Sequence, residues 1–141
     1  MNYLVDVNVW LASALIGHVH QDVAREWFEE PAGNLIFFCR VTQNGLMRLL
    51  TNPTVMGANV LTAREAWKLY DTLYRDSRVR FAEEPQGLEE FWREQTRGVQ
   101  IGPNFWTDAY LAAFAAATGL TIVSFDRQFT RRRNVSVRLL G

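Results

Sequence analysis

The stretch YLVDVN at residues 3–8 decides the fold that we predict for this chain. Apolar residues follow it at helical spacing, namely Trp10, Leu11, Ala14 and Leu15. A short apolar run is typical of a strand buried on both faces, and a strand followed at once by a helix opens a βα unit. Ligands of such sheets bind beyond the carboxyl ends of the strands. We therefore predict that Asp6 lies at the edge of a site, or that Asp6 or Asn8 only caps the helix.

Length and composition indicate one packed domain over residues 1–141. The chain is 48% hydrophobic and 13% aromatic, which favours an ordinary core over a disordered segment. A chain of this length buries roughly two-thirds of its unfolded surface. Cys39 is the single cysteine, so an internal disulfide and a multi-cysteine zinc site are excluded.

The absence of a secretory signal and of a membrane-spanning stretch favours a soluble cytoplasmic protein without membrane contact. No basic segment precedes the first apolar run, and the apolar stretch 110–120 is shorter than the roughly 20 residues that a membrane helix needs. The net charge of zero hides two local groups. The acidic group is Glu83, Glu84, Glu89, Glu90 and Glu94, and the basic group is Arg127, Arg131, Arg132, Arg133 and Arg138.

The spacing of apolar residues alternates between the period of a strand and that of a helix along the first half of the chain. We predict a helix over 21–30 that Pro31 ends, a strand over 35–38 and a helix over 41–50. Gln43 shares the inward face of that last helix with leucines. The segment 54–61 reads as a loop after Asn52-Pro53.

The second half begins with a capping box, in which Thr62 is followed three residues later by Glu65. A helix follows it, then a short strand over 79–81, and then a helix in which Glu89 and Arg93 pair at i,i+4. An alanine-rich helix opens at Gly102-Pro103 and ends at Gly119.

Two further carboxylates take positions like that of Asp6. The stretch 120–123 predicts a buried strand, and Asp126 follows it. Asp108 lies early in the alanine-rich helix, on the side of Ala112. Each acid alone is compatible with a capping or helix-dipole role. Acids that cluster at strand ends repel one another, so together they imply raised pKa values or a bound cation.

Oxygen ligands without histidine or cysteine favour Mg²⁺ or Mn²⁺ over zinc. His18 and His20 flank Val19 in a predicted loop, and we interpret both as surface residues. A cation held by carboxylates activates water and stabilises a phosphoryl oxygen, as phosphodiester hydrolysis requires.

Four blocks of sequence together resemble the PIN domain, and more narrowly the VapC-type ribonuclease toxins of bacterial toxin–antitoxin pairs. The blocks are LVDVNVWL at 4–11, TQNGLMRLLTNP at 42–53, WTDAYLA at 106–112 and SFDRQF at 124–129. Any one block is weak, but their order and spacing agree over essentially the whole chain.

The resemblance implies an α/β fold, a Rossmann-like parallel sheet of five strands in the order 3-2-1-4-5 flanked by helices. It implies that Asp6, Asp108 and Asp126 bind Mg²⁺ or Mn²⁺ and activate the attacking water. Asn8 and Ser124 match positions where the family has polar residues that support these acids. The expected products carry 5′-phosphate and 3′-hydroxyl ends.

One position departs from the family pattern. Many PIN domains carry a glutamate early in the third helix, where this chain has Gln43. An amide still offers an oxygen to a metal-bound water but removes one negative charge. We expect weaker metal affinity with activity retained.

The resemblance also implies partners. A VapB-type antitoxin would hold the protein, with its tail on the apolar face near Trp10 and Leu15, and a homodimer is expected, within a larger complex when the antitoxin is bound. The substrate would be RNA, tRNA or rRNA, whose cleavage inhibits translation. Arginines near the acids are the candidates for phosphate contacts, namely Arg48, Arg127, Arg131, Arg132 and Arg133.

Other classes fit less well. A receiver domain needs a lysine after its last strand, and the only lysine, Lys68, lies inside a helix. A haloacid-dehalogenase-like phosphatase needs an aspartate where Asn8 stands. The remaining alternative is a catalytically silent PIN-like domain that binds RNA or protein, because of Gln43.

Overall fold

The architecture is a parallel β-sheet with helices on both faces. The structure is a computed structural model that describes residues 1–15, 17–30, 33–98 and 102–141. Pro31, the predicted end of the second helix, lies outside these ranges. The five-stranded sheet has the order β3-β2-β1-β4-β5, which confirms the predicted topology. Its strands are β1 Asn2–Val5, β2 Leu35–Phe38, β3 Val79–Phe81, β4 Thr121–Ser124 and β5 Val137–Leu139.

β1 occupies the centre of the sheet, as the first stretch of the sequence predicts. Tyr3 is in register with Ile36 of β2 on one side and with Thr121 of β4 on the other. The three apolar residues of β1 are buried, since helices cover both faces of the strand. The ladder continues one residue further, because the Asp6 N–H donates to the Val123 carbonyl at 2.9 Å.

The helices connect the strands in the order expected for βα units. They are α1 Val7–Ala14, α2 Gln21–Phe28, α3 Arg40–Leu50, α4 Pro53–Met56, α5 Ala63–Leu73, α6 Leu88–Gln95 and α7 Phe105–Thr118, with 3₁₀ helices at Gly57–Asn59 and Arg127–Arg131. Among the described residues, none of these helices is both long and apolar enough to cross a lipid bilayer.

Two apolar clusters fill the space on either side of the sheet. One contains Trp10 of α1, which is 1% exposed and stacks on Phe38 with ring centroids 3.9 Å apart and an interplanar angle of 6°. The other lies beneath α7, whose buried alanines let the helix backbone approach the sheet closely. Gly119 ends α7 with a φ of 76°, as predicted.

Two sequence predictions for local structure were wrong. Segment 54–61 is not a plain loop, because the Asn52 side chain accepts from the Thr54 N–H at 2.9 Å and Pro53 begins α4. The alanine-rich helix begins at Phe105 rather than at Gly102. Strand β5 carried no local signal, since it has three residues and two of them are exposed.

The predicted capping box at the start of α5 is confirmed. The Thr62 hydroxyl accepts from the Glu65 N–H at 3.2 Å, and the Glu65 carboxylate accepts from the Thr62 N–H at 3.0 Å. These bonds satisfy two of the amide groups that a helix start leaves free.

Thr62→Ala is expected to lower the free energy of unfolding by about 1 kcal/mol, because one N–H of α5 loses its acceptor. Urea unfolding measures the change. Thr72→Ala is the control, since the Thr72 hydroxyl donates only to the Lys68 carbonyl within the same helix. Equal losses in the two variants would contradict a capping role.

Candidate active site

Asp6 and Asp126 follow neighbouring parallel strands, so they lie at the same edge of the sheet. Val5 at the end of β1 pairs with Val123 of β4. The chain leaves β1 at Asp6 and leaves β4 one residue before Asp126. The carboxyl ends of adjacent parallel strands coincide, and the sheet itself therefore brings together two acids that are 120 residues apart in the sequence.

Hydrogen bonds fix both oxygens of Asp6. Its Oδ1 accepts from the Val7 N–H at 2.7 Å, which caps α1, and its Oδ2 accepts from the Ser124 hydroxyl at 2.7 Å. Burial raises the pKa of Asp6, whereas the bonds from Ser124 and Val7 lower it and the charge of Asp126 raises it further. Asp6 is thus both a helix cap and a member of an acidic group.

Ser124 is the centre of a small polar network. Its side chain is completely buried, and its oxygen accepts from the Asp126 N–H at 2.9 Å and from the Asn8 amide at 3.3 Å. The other end of the Asn8 amide accepts from the Phe125 N–H at 3.5 Å. Asn8 and Ser124 therefore lie against Asp6 and Asp126 and restrain them.

Asp126 also caps a helix. Its Oδ1 accepts from the Gln128 N–H at 2.9 Å at the start of the 3₁₀ helix Arg127–Arg131. The capping roles that the sequence left open for Asp6 and Asp126 are thus real. They do not compete with a role in a site, because a cap occupies one oxygen of each carboxylate.

Asp108 completes the acidic group from the first turn of α7. Burial raises its pKa to about 6, and the charges of Asp6 and Asp126 contribute to this rise. The guanidinium of Arg132 acts in the opposite direction. The charges of Asp6 and Asp126 therefore both oppose the ionisation of Asp108, and the charge of Asp126 also opposes the ionisation of Asp6.

The three acids line one cleft of about 760 Å³. Its other walls come from α1, from the loop after it, from α3 and α4 and from the start of α7. The lining residues are Asp6, Val7, Asn8, Leu11, His18, Gly45, Arg48, Leu49, Thr51, Asn52, Pro53, Asn104, Thr107, Asp108 and Asp126. Asn104 and Thr107 were missed in the sequence, although their position beside Asp108 at a helix start was an available signal.

The structure places Gln43 away from the acids. Its side chain is buried, as predicted, but its carbonyl oxygen accepts from the Arg40 guanidinium at 2.5 Å on another side of α3. The α3 residues that line the cleft are Gly45, Arg48 and Leu49. A Cβ on Gly45 would stand 2.8 Å from a Val7 methyl group, so α3 and α1 approach closely here.

His18 is part of the cleft wall, although the sequence suggested a surface residue. It is half-buried, and its Nδ1 accepts from the His20 N–H at 3.1 Å. Burial, and then the charge of His20, lower the pKa of His18. His20 is exposed and stacks on Phe125 with centroids 4.5 Å apart.

The candidate arginines divide into two groups. Arg48 lines the cleft, and Arg132 is near enough to Asp108 to lower its pKa. Arg127, Arg131 and Arg133 are exposed and lie outside the cleft lining. A cation in the cleft wall neutralises a phosphate more effectively than one on open surface, because water screens it less.

The donor set fits a hard divalent cation that keeps much of its water. Within the described ranges, no three side chains of the His, Cys, Asp and Glu types are gathered tightly enough to hold an ion by themselves. An ion in this cleft would bind one or two carboxylates and keep several of its waters, which is how Mg²⁺ binds in phosphoryl-transfer sites. The mutual repulsion of the three acids favours a positive charge among them.

Comparison with known proteins identifies the fold and the family. The sequence matches the PIN domain family over residues 3–135. Ribonuclease VapC41 of Mycobacterium tuberculosis is 46% identical over 98% of each chain. A chain of VapBC2 from Rickettsia felis, bound to a DNA fragment from their promoter, superposes with a TM-score of 0.74 at 18% identity over 100% of both chains. VapC20 of M. tuberculosis, a sarcin–ricin loop cleaving toxin, superposes with a TM-score of 0.66 at 18% identity, and the match covers 95% of this chain and 98% of VapC20.

A parallel sheet with three acids at its carboxyl edge and a full-length match define a PIN-domain protein, and the chain belongs to this family. Within it the chain belongs to the VapC ribonucleases. The resemblance seen in the four sequence blocks is thereby confirmed. Ribonucleases of this family generally depend on a divalent metal.

Asp126→Asn is expected to lower the pKa of Asp108 from about 6 in the metal-free protein, because one of the neighbouring charges that raise it is removed. Arg132→Gln is expected to raise the pKa, because the one opposing charge is lost. Carboxyl-carbon NMR titration measures both changes. Shifts in the same direction would contradict the electrostatic coupling of the three acids.

The raised pKa of Asp108 also determines whether its contribution to the free energy of unfolding rises or falls with pH. Between the ordinary value of 3.8 and about 6, the folded protein holds this proton and the unfolded chain does not. The contribution of Asp108 to the free energy of unfolding therefore falls as pH rises through this window.

Gln43→Glu is expected to leave the rate of RNA cleavage and the affinity for Mn²⁺ unchanged. The new carboxylate would face Arg40 rather than the acidic cleft. Cleavage assays and Mn²⁺ titration by calorimetry measure the two quantities. A gain in either one would show that residue 43 does reach the cleft.

Proposed function

We propose that this protein is a Mg²⁺- or Mn²⁺-dependent endoribonuclease, the toxin of a toxin–antitoxin pair, in which Asp6, Asp108 and Asp126 bind the ion and catalyse the cleavage of RNA. The observation that carries the proposal is the electrostatic coupling of these three carboxyls within one cleft. The family membership supports the reaction, and the donor chemistry supports the choice of ion.

A bound cation would supply an activated water and would stabilise the charge on a phosphoryl oxygen. The protein holds the acids in place for this chemistry. The Ser124 hydroxyl and the Val7 N–H fix the two oxygens of Asp6, and the Ser124 oxygen also holds the backbone of Asp126. Such outer contacts orient the groups that bind a metal. The products would carry 5′-phosphate and 3′-hydroxyl ends.

The basic residues of the cleft suit a polyanionic substrate. Arg48 lies on the α3 wall, and Arg132 lies near Asp108, so cations lie at two sides of the acids. Phosphates on either side of the scissile bond can bind there, which gives affinity that falls with salt. The VapC20 neighbour cleaves the sarcin–ricin loop, and we infer a structured rRNA or tRNA as the substrate. The site of action would be the cytoplasm, where cleavage inhibits translation.

A VapB-type antitoxin is the partner that we infer from the relatives. Trp10 is core rather than surface, so the expected apolar face is built from other residues. Leu15, Val55 and Val60 line a groove of about 770 Å³, and His18 lines both this groove and the acidic cleft. A peptide tail in the groove could thus reach the acids. We also expect a homodimer, and a larger complex with the antitoxin.

Purified protein is expected to cut a mixed tRNA and rRNA pool in Mg²⁺ or Mn²⁺ and to be inactive in EDTA. Asp6→Asn and Asp126→Asn should each lower the rate by more than about 100-fold, the upper end of the effect of removing an outer partner. Asparagine keeps the capping oxygen, so both variants should fold. Product ends are identified by ligation and by sequencing.

Asp22→Asn is the matched control, since Asp22 is an exposed acid of α2 outside the cleft. Loss of activity in this variant would point to a general charge effect. A folded wild-type protein that binds RNA but cuts none in either metal would instead support the silent PIN-like alternative.

A further inference from the structure

An aromatic groove lies next to the acidic cleft and is not explained by the proposed chemistry. It has a volume of about 310 Å³ and is lined by Glu89, Trp92, Arg93, Thr96 and Trp106. Trp106 is 62% exposed, which is the largest value among the exposed tryptophan and phenylalanine residues. Trp106 is not isolated, because it and Trp92 form one aromatic patch rimmed by polar residues, and such patches mark interaction sites.

The groove has a rigid floor. The Trp92 indole N–H donates to the Trp106 carbonyl at 3.2 Å, and the two rings meet edge to face at 87° with centroids 5.9 Å apart. Tyr110 supports Trp92 from behind, also edge to face, at 5.5 Å. The Tyr110 hydroxyl in turn donates to Glu84 at 2.7 Å. These contacts fix the Trp92 ring and the backbone of Trp106 before any ligand arrives, so binding would order mainly the Trp106 ring.

The groove and the acidic cleft share one turn of helix. Trp106 precedes Asp108 by two residues in α7, which is about 3 Å along the helix axis, but the two side chains point about 200° apart around it, so the groove lies on the α6 side of the helix. Thr107, between them, lines the cleft. Arg132, whose charge acts on Asp108, also donates to the Gln95 carbonyl at 3.0 Å, next to Thr96 of the groove. The groove and the cleft therefore lie on different sides of the start of α7, and Arg132 links them, because it donates to Gln95 beside the groove while its charge acts on Asp108.

The charges of the groove fit a base better than a phosphate. Its two charged residues, Glu89 and Arg93, form an ion pair at 3.0 Å and cancel each other. A neutral groove with aromatic walls suits the flat face of a nucleobase. The phosphate of the same nucleotide would bind the Arg132 guanidinium instead.

We propose that the groove lined by Trp92 and Trp106 binds one unstacked nucleobase of the RNA substrate, on the other side of the start of α7 from the bond that is cleaved. This inference rests on the proposed ribonuclease function. The proposed substrate is a strand with an accessible base within a few nucleotides of the scissile phosphate. Stacking on an indole ring tolerates any base, so the groove selects for single-stranded or looped RNA rather than for one sequence.

The test measures binding without cleavage. A short fluorescein-labelled RNA with the sequence around the mapped cut is titrated in EDTA, and anisotropy gives the dissociation constant. Trp106→Ala is expected to weaken binding by about 5- to 150-fold, the range for loss of one base–aromatic stack. Trp106→Phe should retain most of the affinity. Phe91→Ala is the matched control, because Phe91 lies on α6 at 41% exposure and does not line the groove.

An abasic scan locates the base. Each nucleotide beside the cut is replaced in turn by an abasic one, and one position is expected to weaken binding by wild-type protein but not by Trp106→Ala. Equal affinity of wild type and Trp106→Ala, or wild-type binding that is insensitive to every abasic position, would overturn the inference while leaving cleavage intact.

Two further outcomes distinguish failure of the nucleobase site from failure of the proposed ribonuclease function. If Trp106→Ala changes the molar mass by light scattering and leaves RNA binding unaltered, the groove is covered by a second copy of the chain, and the nucleobase site is wrong. If wild-type protein neither binds nor cuts RNA in any metal, the proposed function fails and the inference fails with it. Melting temperatures confirm that each variant is folded.

Discussion

The pairing of β1 with β4 is the constraint on which the rest of the site depends. Parallel strands in register end together, so Val5 beside Val123 places Asp6 beside the segment that leads to Asp126. The Ser124 hydroxyl then contacts the carboxylate of one acid and the backbone of the other. A shift in the register of these strands would separate the acids even if every side chain were unchanged.

Capping and the proposed metal binding can use the same carboxylates without conflict. Asp6 and Asp126 each begin a helix directly after a strand, where free N–H groups need an acceptor. The same position is the edge at which a parallel sheet binds ligands. A helix cap and the proposed ligand site thus call for the same residue type at the same position, so the capping of Asp6 and Asp126 does not argue against the proposed role.

Much of the fold could be predicted because local signals agreed with the topology. The apolar run of β1, the capping box at Thr62 and the terminal Gly119 each have a short-range physical cause. Strand β5 could not be found, since three half-exposed residues become a strand only by pairing with β4. Its existence was implied by the family resemblance alone.

The site could be predicted in its acids but not in its walls. Strand ends mark Asp6 and Asp126, whereas the side of α3 that faces them depends on how closely α3 packs against α1. Gly45 permits that approach, and it turns Gln43 toward Arg40. Likewise, the half-buried position of His18 depends on a loop after α1, for which the sequence carries no periodic signal.

The repulsion among the three acids affects which substitutions the protein can tolerate during evolution. A carboxyl whose pKa is raised by burial and by like charges costs folding energy when it ionises, so losing it relieves the native state. A mutation that replaces Asp108 with a neutral residue would therefore not lower the folding stability, whereas most deleterious mutations are removed because they do. If Asp108 serves catalysis as proposed, a single substitution there would inactivate the protein without a cost in folding stability and would leave its binding surfaces intact.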